Sequence, residues 1–238
     1  MKWSHGRMPQ PRARGLALDL GSARLRLWTP SGRTVDLPSA GLVSRGRIVD
    51  TCAARRAVLA GVSERLERLT VVATTPVVSD DEHRDDLLAV LRGLGAVVLI
   101  DGVKAAALGA GVDVYEPLLV VDVGAELTEV GLIAEGVVVQ ARRTDIGLGD
   151  ARTVVDVVGE AMLELLQGPC GSQVVDALDR GVLLTGGGAL RPEITYKLGR
   201  RLGAVVRPAP APHTAAVRGA AAALQATHRH PTSSPSSP

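Results

Sequence analysis

The chain has 238 residues, 46% of them hydrophobic, which suffices for a buried core and one or two domains. Aromatic residues make up only 2%, with no Phe, and the net charge is +2, so the core is aliphatic and nucleic-acid binding is disfavoured on both counts. Cys52 and Cys170 lack metal-ligand spacing, no apolar run reaches the roughly 18 residues of a membrane span, and no apolar signal segment opens the chain; a reduced, cytoplasmic protein is expected.

Residues 1–14 hold Arg7, Arg12, Arg14 and two prolines and read as a flexible basic tail, with Trp3 and Met8 offering a membrane contact as the alternative. Leu16–Leu20 and Leu25–Trp28 read as strands joined at Gly21. Val58, Leu59, Val62, Leu66 and Leu69 recur at helical spacing. Val71–Thr75 reads as a strand ending at Pro76, and Ser79 with Glu82 as a capping box that opens a helix carrying Leu87, Leu88 and Leu91. Ala96–Ile100 is the next strand, and Lys104–Gly111 a helix of small residues.

The pattern then restarts. Leu118–Val123, Glu129–Ile133 and Val137–Arg142 read as strands, and Val154, Val155, Val158, Met162 and Leu165 mark a helix. Val182–Leu184 is a strand running into Gly186, Gly187 and Gly188. Leu190, Ile194, Leu198 and Leu202 form a helical stripe, Ala204–Val206 a short strand, and Ala215–Leu224 an Ala-rich helix. Residues 227–238 are low-complexity and expected to be disordered, with His228 and His230 read as solvated rather than metal-binding. Strand–turn–strand–strand–helix thus occurs twice, an internal duplication in an α/β chain with helices outside mixed sheets.

Three segments carry the chemistry. Asp19-Leu20-Gly21-Ser22-Ala23 and Asp122-Val123-Gly124-Ala125 stand at equivalent places in the two halves. Each pairs a carboxylate with a turn tight enough to approach phosphate oxygens. Gly186-Gly187-Gly188-Ala189-Leu190 lets a flat ligand lie against bare backbone; its structural alternative is a plain strand-to-helix turn. Arg24 offers a bidentate phosphate contact or a solvated side chain.

Five ordered segments resemble the bacterial actins of the MreB and Mbl type. They are Leu18–Ala23, Pro38-Ser39, Ala105–Gly111, Ile146-Gly147-Leu148-Gly149-Asp150 and Arg180–Leu190, and they fall within residues 15–226. The resemblance implies an actin-like ATPase fold, a duplicated ribonuclease H-like core. The stretches after Pro38 and after Ala151–Gln167 are too short for that family's outer subdomains. Only the two core subdomains, IA and IIA, are therefore expected: residues 15–112 plus 213–226, and residues 113–212.

By the same resemblance ATP or ADP lies between the halves. Asp19 and Asp122 hold Mg through its waters, the amides of Gly21, Ser22 and Ala23 and the loop at Gly124 and Ala125 cradle phosphates, and Gly186–Leu190 meets the adenosine. Departures weaken that pocket. Ala125, Glu126 and Leu127 replace the family's glycines and Thr, and Glu126 brings repulsion toward phosphate, most of which a side chain swung into solvent escapes, or else an extra metal ligand. The family's water-orienting acid falls on Gly102, with Asp101 one residue away as the remaining catalytic candidate. Loss of a positioned base costs ~10²–10⁴ in rate.

The expectation is an MreB-like actin homologue of the cell-shape and cell-wall cytoskeleton, a regulatory or scaffolding form and pseudo-ATPase with weak nucleotide binding. Its partner would be a full-length bacterial actin homologue or a cell-wall synthesis complex. The rivals are an active ATPase or small-molecule kinase using Asp101 or Asp145, and a membrane-surface adaptor using residues 1–14.

Overall fold

A computed structural model of the protein describes residues 15–62, 69–149 and 151–229. The tail expected at 1–14, the helical position Leu66, Asp150 and residues 230–238 lie outside the described residues.

Two five-stranded sheets dominate. The first runs in the order β3-β2-β1-β6-β7, from β1 (Gly15–Leu20), β2 (Arg24–Trp28), β3 (Thr34–Pro38), β6 (Leu69–Thr75) and β7 (Gly95–Asp101). The second repeats that plan as β10-β9-β8-β11-β12, from β8 (Leu118–Val123), β9 (Thr128–Ala134), β10 (Val137–Thr144), β11 (Val182–Thr185) and β12 (Val206–Pro208). In both, an antiparallel meander of three strands is extended by two parallel strands. A small hairpin, β4 (Val43–Ser44) with β5 (Arg47–Ile48), follows β3. The chain therefore leaves β3 and reaches helix α1 (Thr51–Gly61) through a short hairpin, and passes from α4 (Ala151–Gln167) to β11 through α5 (Gly171–Arg180) alone.

Strand alternation sorts the side chains into layers. Leu16, Leu18, Val71 and Ala73 face outward and are covered by α1 (Thr51–Gly61) and α2 (Asp81–Leu91) through Ala54, Val58, Leu87 and Val90. Leu119, Val121, Val130 and Leu184 face outward from the second sheet. They meet α4 (Ala151–Gln167), α5 (Gly171–Arg180) and α6 (Pro192–Leu202) through Val158, Val174 and Ile194.

The inner faces share a central layer, α3 (Gly102–Ala110) and α7 (Ala215–Arg229). Val103 and Ala107 of α3 pack on Val120 and Ile133, while Val217 and Leu224 of α7 pack on Ala17 and Val72. The two helices cross at glycines: a Cβ at Gly109 would overlap the Ala215 carbonyl, and one at Gly219 the Ala105 carbonyl. Small residues here serve close backbone approach.

Several expectations shift at their edges. The helix read at Val58–Leu69 begins earlier, at Thr51 behind the Asp50 cap, and closes at Gly61; Leu69 instead starts β6. The capping box does not form. Asp80 caps α2 through His83 N, Ser79 turns to Thr75 and the Pro76 carbonyl, and Glu82 pairs with Arg47. The short strand expected at Ala204–Val206 lies at Val206–Pro208, and residues 227–229, expected to be disordered, continue α7. The αL residue Gly111 ends α3 as its glycine suggested.

Candidate functional site

The two Asp–x–Gly turns fold alike. Gly21 N donates to the Arg24 carbonyl (3.0 Å) and Gly124 N to the Leu127 carbonyl (2.8 Å), so each glycine closes a four-residue turn. This corrects the expected phosphate cradle, because the Gly21 amide is consumed within the turn. Among the described residues the amides of Ser22, Ala23 and Ala125 make no such backbone bond. Ser39, fully buried, braces the first turn by donating Oγ to the Gly21 carbonyl and N to the Ala23 carbonyl. The second turn is braced by Leu148 N, which donates to the Gly124 and Ala125 carbonyls, and by Thr128 Oγ1 bonded to the Ile146 carbonyl.

Both turns open on one cavity of about 440 Å³, within the usual range for small-molecule sites. Asp19 and Asp122 stand on inward-facing strand positions, next to outward Leu18, Val121 and Val123. Antiparallel pairing sets Arg26 opposite Asp19 and Glu129 opposite Asp122, so these also point inward. The structure brings Asp19, Gly21, Ser22, Ala23, Arg24, Asp122, Gly124, Ala125, Gly186, Gly187 and Leu190 to the cavity wall. Gly188 and Ala189 are buried away from it, and Gly188 packs against Val123. Arg24 is held by Asp36 through Nε (2.8 Å) at the cavity margin.

The electrostatics are those of carboxyls with too few counter-charges. Burial lifts the Asp19 carboxyl, opposed by Arg26 (Nη1 to Oδ2 3.7 Å) and by Thr74, which donates Oγ1 to Asp19 Oδ1 at 2.9 Å. Burial, then the neighbouring Asp19 charge, pushes Asp122 up to about 7. Burial and Asp122 push Glu129 up to about 8, against the pull of the Val77 amide and Arg143. Arg26 Nε, buried without a well-formed hydrogen bond, lies 3.4 Å from Asp36 Oδ2.

These residues fit Mg held through water. Partly buried Asp19 and Asp122, with buried Glu129, face chiefly one guanidinium, and a hydrated divalent ion would balance the surplus. Among the described residues no three acidic, His or Cys side chains converge closely enough to ligate a metal directly.

Glu126 does not enter the cavity. Its Oε2 accepts from Arg45 N (2.7 Å) at the tip of the β4–β5 hairpin, and Arg143 Nη2 donates to the Arg45 carbonyl (2.8 Å). The hairpin thus straps the first sheet to the second phosphate turn, with Gly46 against Leu127 and Pro76. Both sequence readings of Glu126, phosphate repulsion and metal ligation, give way to this contact.

Asp101 lies just before α3, off the cavity wall, with its carboxyl raised by burial. Asp145 is exposed and pairs with Arg143 at 3.5 Å. Gly102, by contrast, lines the cavity beside Glu129. Glu129, Arg26, Thr74 and His213 are wall residues that the sequence reading left aside. A signal for the first two was present: each follows its Asp by one hairpin.

The MreB/Mbl protein family model matches residues 45–153. No curated protein matches the chain. Among solved structures, MreB5 of Spiroplasma citri bound to AMPPNP superposes with a TM-score of 0.79 at 15% identity, covering 93% of this chain and 98% of that one. A PilM–PilN type IV pilus biogenesis complex gives 0.62 at 18% identity, covering 90% and 99%. A MamK double helical filament gives 0.66 at 13% identity, covering 88% and 98%. The MreB/Mbl family model thus matches just under half of the chain, and the solved structures show the actin-like fold along nearly all of it.

Proposed function

We propose that the chain is a cytoskeletal MreB-like protein of the cell-shape and cell-wall system. It binds an adenine nucleotide weakly between its sheets, turns it over slowly, and acts as a regulatory or scaffolding partner rather than an autonomous filament. The observation that carries this reading is the meeting of two equivalent Asp–x–Gly turns over one cavity, with inward Asp19 and Asp122. The AMPPNP-bound state of the structurally similar MreB5 supports placing the phosphates there. Asp19 and Asp122 would hold Mg through water, and that ion would neutralise phosphate charge. Ser22, Ala23 and Ala125 would meet phosphate oxygens through backbone N–H groups. Gly186, Gly187 and Leu190 would meet the base on one side.

Residues 15–112 with 213–226, and residues 113–212, are proposed as subdomains IA and IIA. The short connections after β3 and α4 leave little of the outer walls that would enclose a base and bond subunits. That favours a partner that is itself a full-length actin homologue or part of the wall-synthesis machinery. The PilM–PilN complex shows this fold engaged with another protein. A cytoplasmic location follows from this role, and among the described residues no helix is long and apolar enough to cross a membrane.

Calorimetric titration of Mg-ATP and Mg-ADP tests the reading. The expected Kd is weaker than about 10 µM, roughly −7 kcal/mol. Micromolar or tighter binding overturns the account of a weakened pocket, and no binding overturns the nucleotide site. Pelleting with Mg-ATP, alone and with a full-length homologue, separates partner from filament: sedimentation alone would favour a filament.

A further inference from the structure

We propose that the β4–β5 hairpin is an acid-released strap over the cavity, and that protonation of His83 releases it. Each strand of the hairpin has two residues, too short to hold its place alone in water, so its position depends on tethers. Gly46 and Ile48 line the cavity. Side chains from outside the hairpin keep it there: Glu126 accepts from Arg45 N, Arg143 donates to the Arg45 carbonyl, and Asp80 and Glu82 pair with Arg47.

His83 stands at the foot of these tethers. It is the third residue of α2, only 6% exposed, and it lines the cavity together with Gly46 and Ile48. Its Nδ1 is buried without a hydrogen-bond partner. A neutral ring tolerates this with its one proton on Nε2. An imidazolium adds a donor at Nδ1 that has no acceptor. It also places positive charge in the first turn of a helix, where the backbone dipoles oppose it. Arg47 of β5 and Arg143 of β10, both tethers of the hairpin, face the ring, so a third cation there repels both.

Counter-charge around the ring is already engaged. Asp80 accepts from the His83 amide and pairs with Arg47, and Glu82 also pairs with Arg47. Across the cavity, Glu129 is turned to the Val77 amide. Burial and the two guanidiniums outweigh Asp80 and Asp86 and hold the ring below its ordinary pKa. The closed hairpin therefore binds a proton more weakly than the open one. Closure is strongest above the ordinary His value and weakens as pH falls from there. Opening withdraws Gly46 and Ile48 from the cavity wall.

Hydrogen exchange read by mass spectrometry tests this without metal or nucleotide, on the unaltered chain, His83→Gln and His83→Leu. Rates at about pH 7.5 and about pH 5.5 are each referred to an unstructured chain at the same pH. Protection of residues 42–49 in the unaltered chain should fall roughly fivefold to tenfold at the lower pH, with α3 unchanged. Both variants should change by less than about twofold, although they keep Asp122 and Glu129. If one variant does not fold, the other decides. If neither folds, the onset in the unaltered chain decides. His83 requires an onset below about pH 6.5, whereas one at about 7 or 8, where Asp122 and Glu129 take up protons, overturns the proposal. Unchanged protection in the unaltered chain overturns it, as does an acid response that persists in either folded variant. An equal loss in α3 overturns it too, because the whole fold would then be opening.

Discussion

Asp19 and Asp122 have cross-strand partners of opposite charge, Arg26 in one hairpin and Glu129 in the other. The duplicated hairpins thus bring Arg26 and the carboxyls of Asp19, Asp122 and Glu129 around a common space. Without metal, the folded state holds protons on Asp122 and Glu129 more tightly than the unfolded chain does, because burial raises both groups. That contribution to stability is fully present below about pH 4 and is lost as pH rises toward about 8. In EDTA, the unfolding free energy from denaturant titration should therefore fall between pH 5 and pH 8, by an amount on the order of a few kcal/mol. Glu129→Gln should flatten the slope, and Mg should restore stability at the alkaline end. An unfolding free energy constant over that range would show that the carboxyls are compensated by some other means.

At the scale of elements, the β4–β5 hairpin depends on a single carboxylate across the cleft, Glu126 on the Arg45 amide. A hydrogen bond to a charged group contributes about 1.5–3 kcal/mol when shielded and less at an exposed site. Glu126→Ala should speed amide exchange in residues 42–49 by roughly tenfold, about 1.4 kcal/mol, while leaving α3 unchanged. Hydrogen exchange read by mass spectrometry checks this, and unchanged protection of the hairpin would mean that Arg143 and the Arg47 pairs with Asp80 and Glu82 hold it without Glu126. The α3–α7 crossing is stricter. Gly219→Val forces a side chain onto the Ala105 carbonyl and should lower stability by at least about 3 kcal/mol in chemical unfolding.

Legibility in the sequence follows the same physics. The sheets were readable because apolar runs ended at glycine turns, as at Gly21, Gly124 and Gly186. The Asp pair was readable because duplication repeated its pattern. Glu129 was passed over because it opens a continuous apolar strand, where period-two reading assigns no inward face. The strap was passed over because its bonds join residues 81 and 98 positions apart in sequence. No local pattern encodes such a contact.

For the whole molecule, the central layer means that the chain passes from one sheet to the other only beside the Gly109–Gly219 crossing. The native thiols lie on opposite sides of it: exposed Cys52 in α1, over the first sheet, and partly buried Cys170 ahead of α5, over the second. A donor and an acceptor dye attached to these two positions would turn the unaltered chain into a ruler for the angle between its sheets. Addition of Mg-AMPPNP should shift energy transfer as the sheets draw together around the phosphates, and Glu126→Ala should broaden the distance distribution before any ligand arrives. An identical, narrow distribution in all states would mean that the crossing is a rivet and not a pivot.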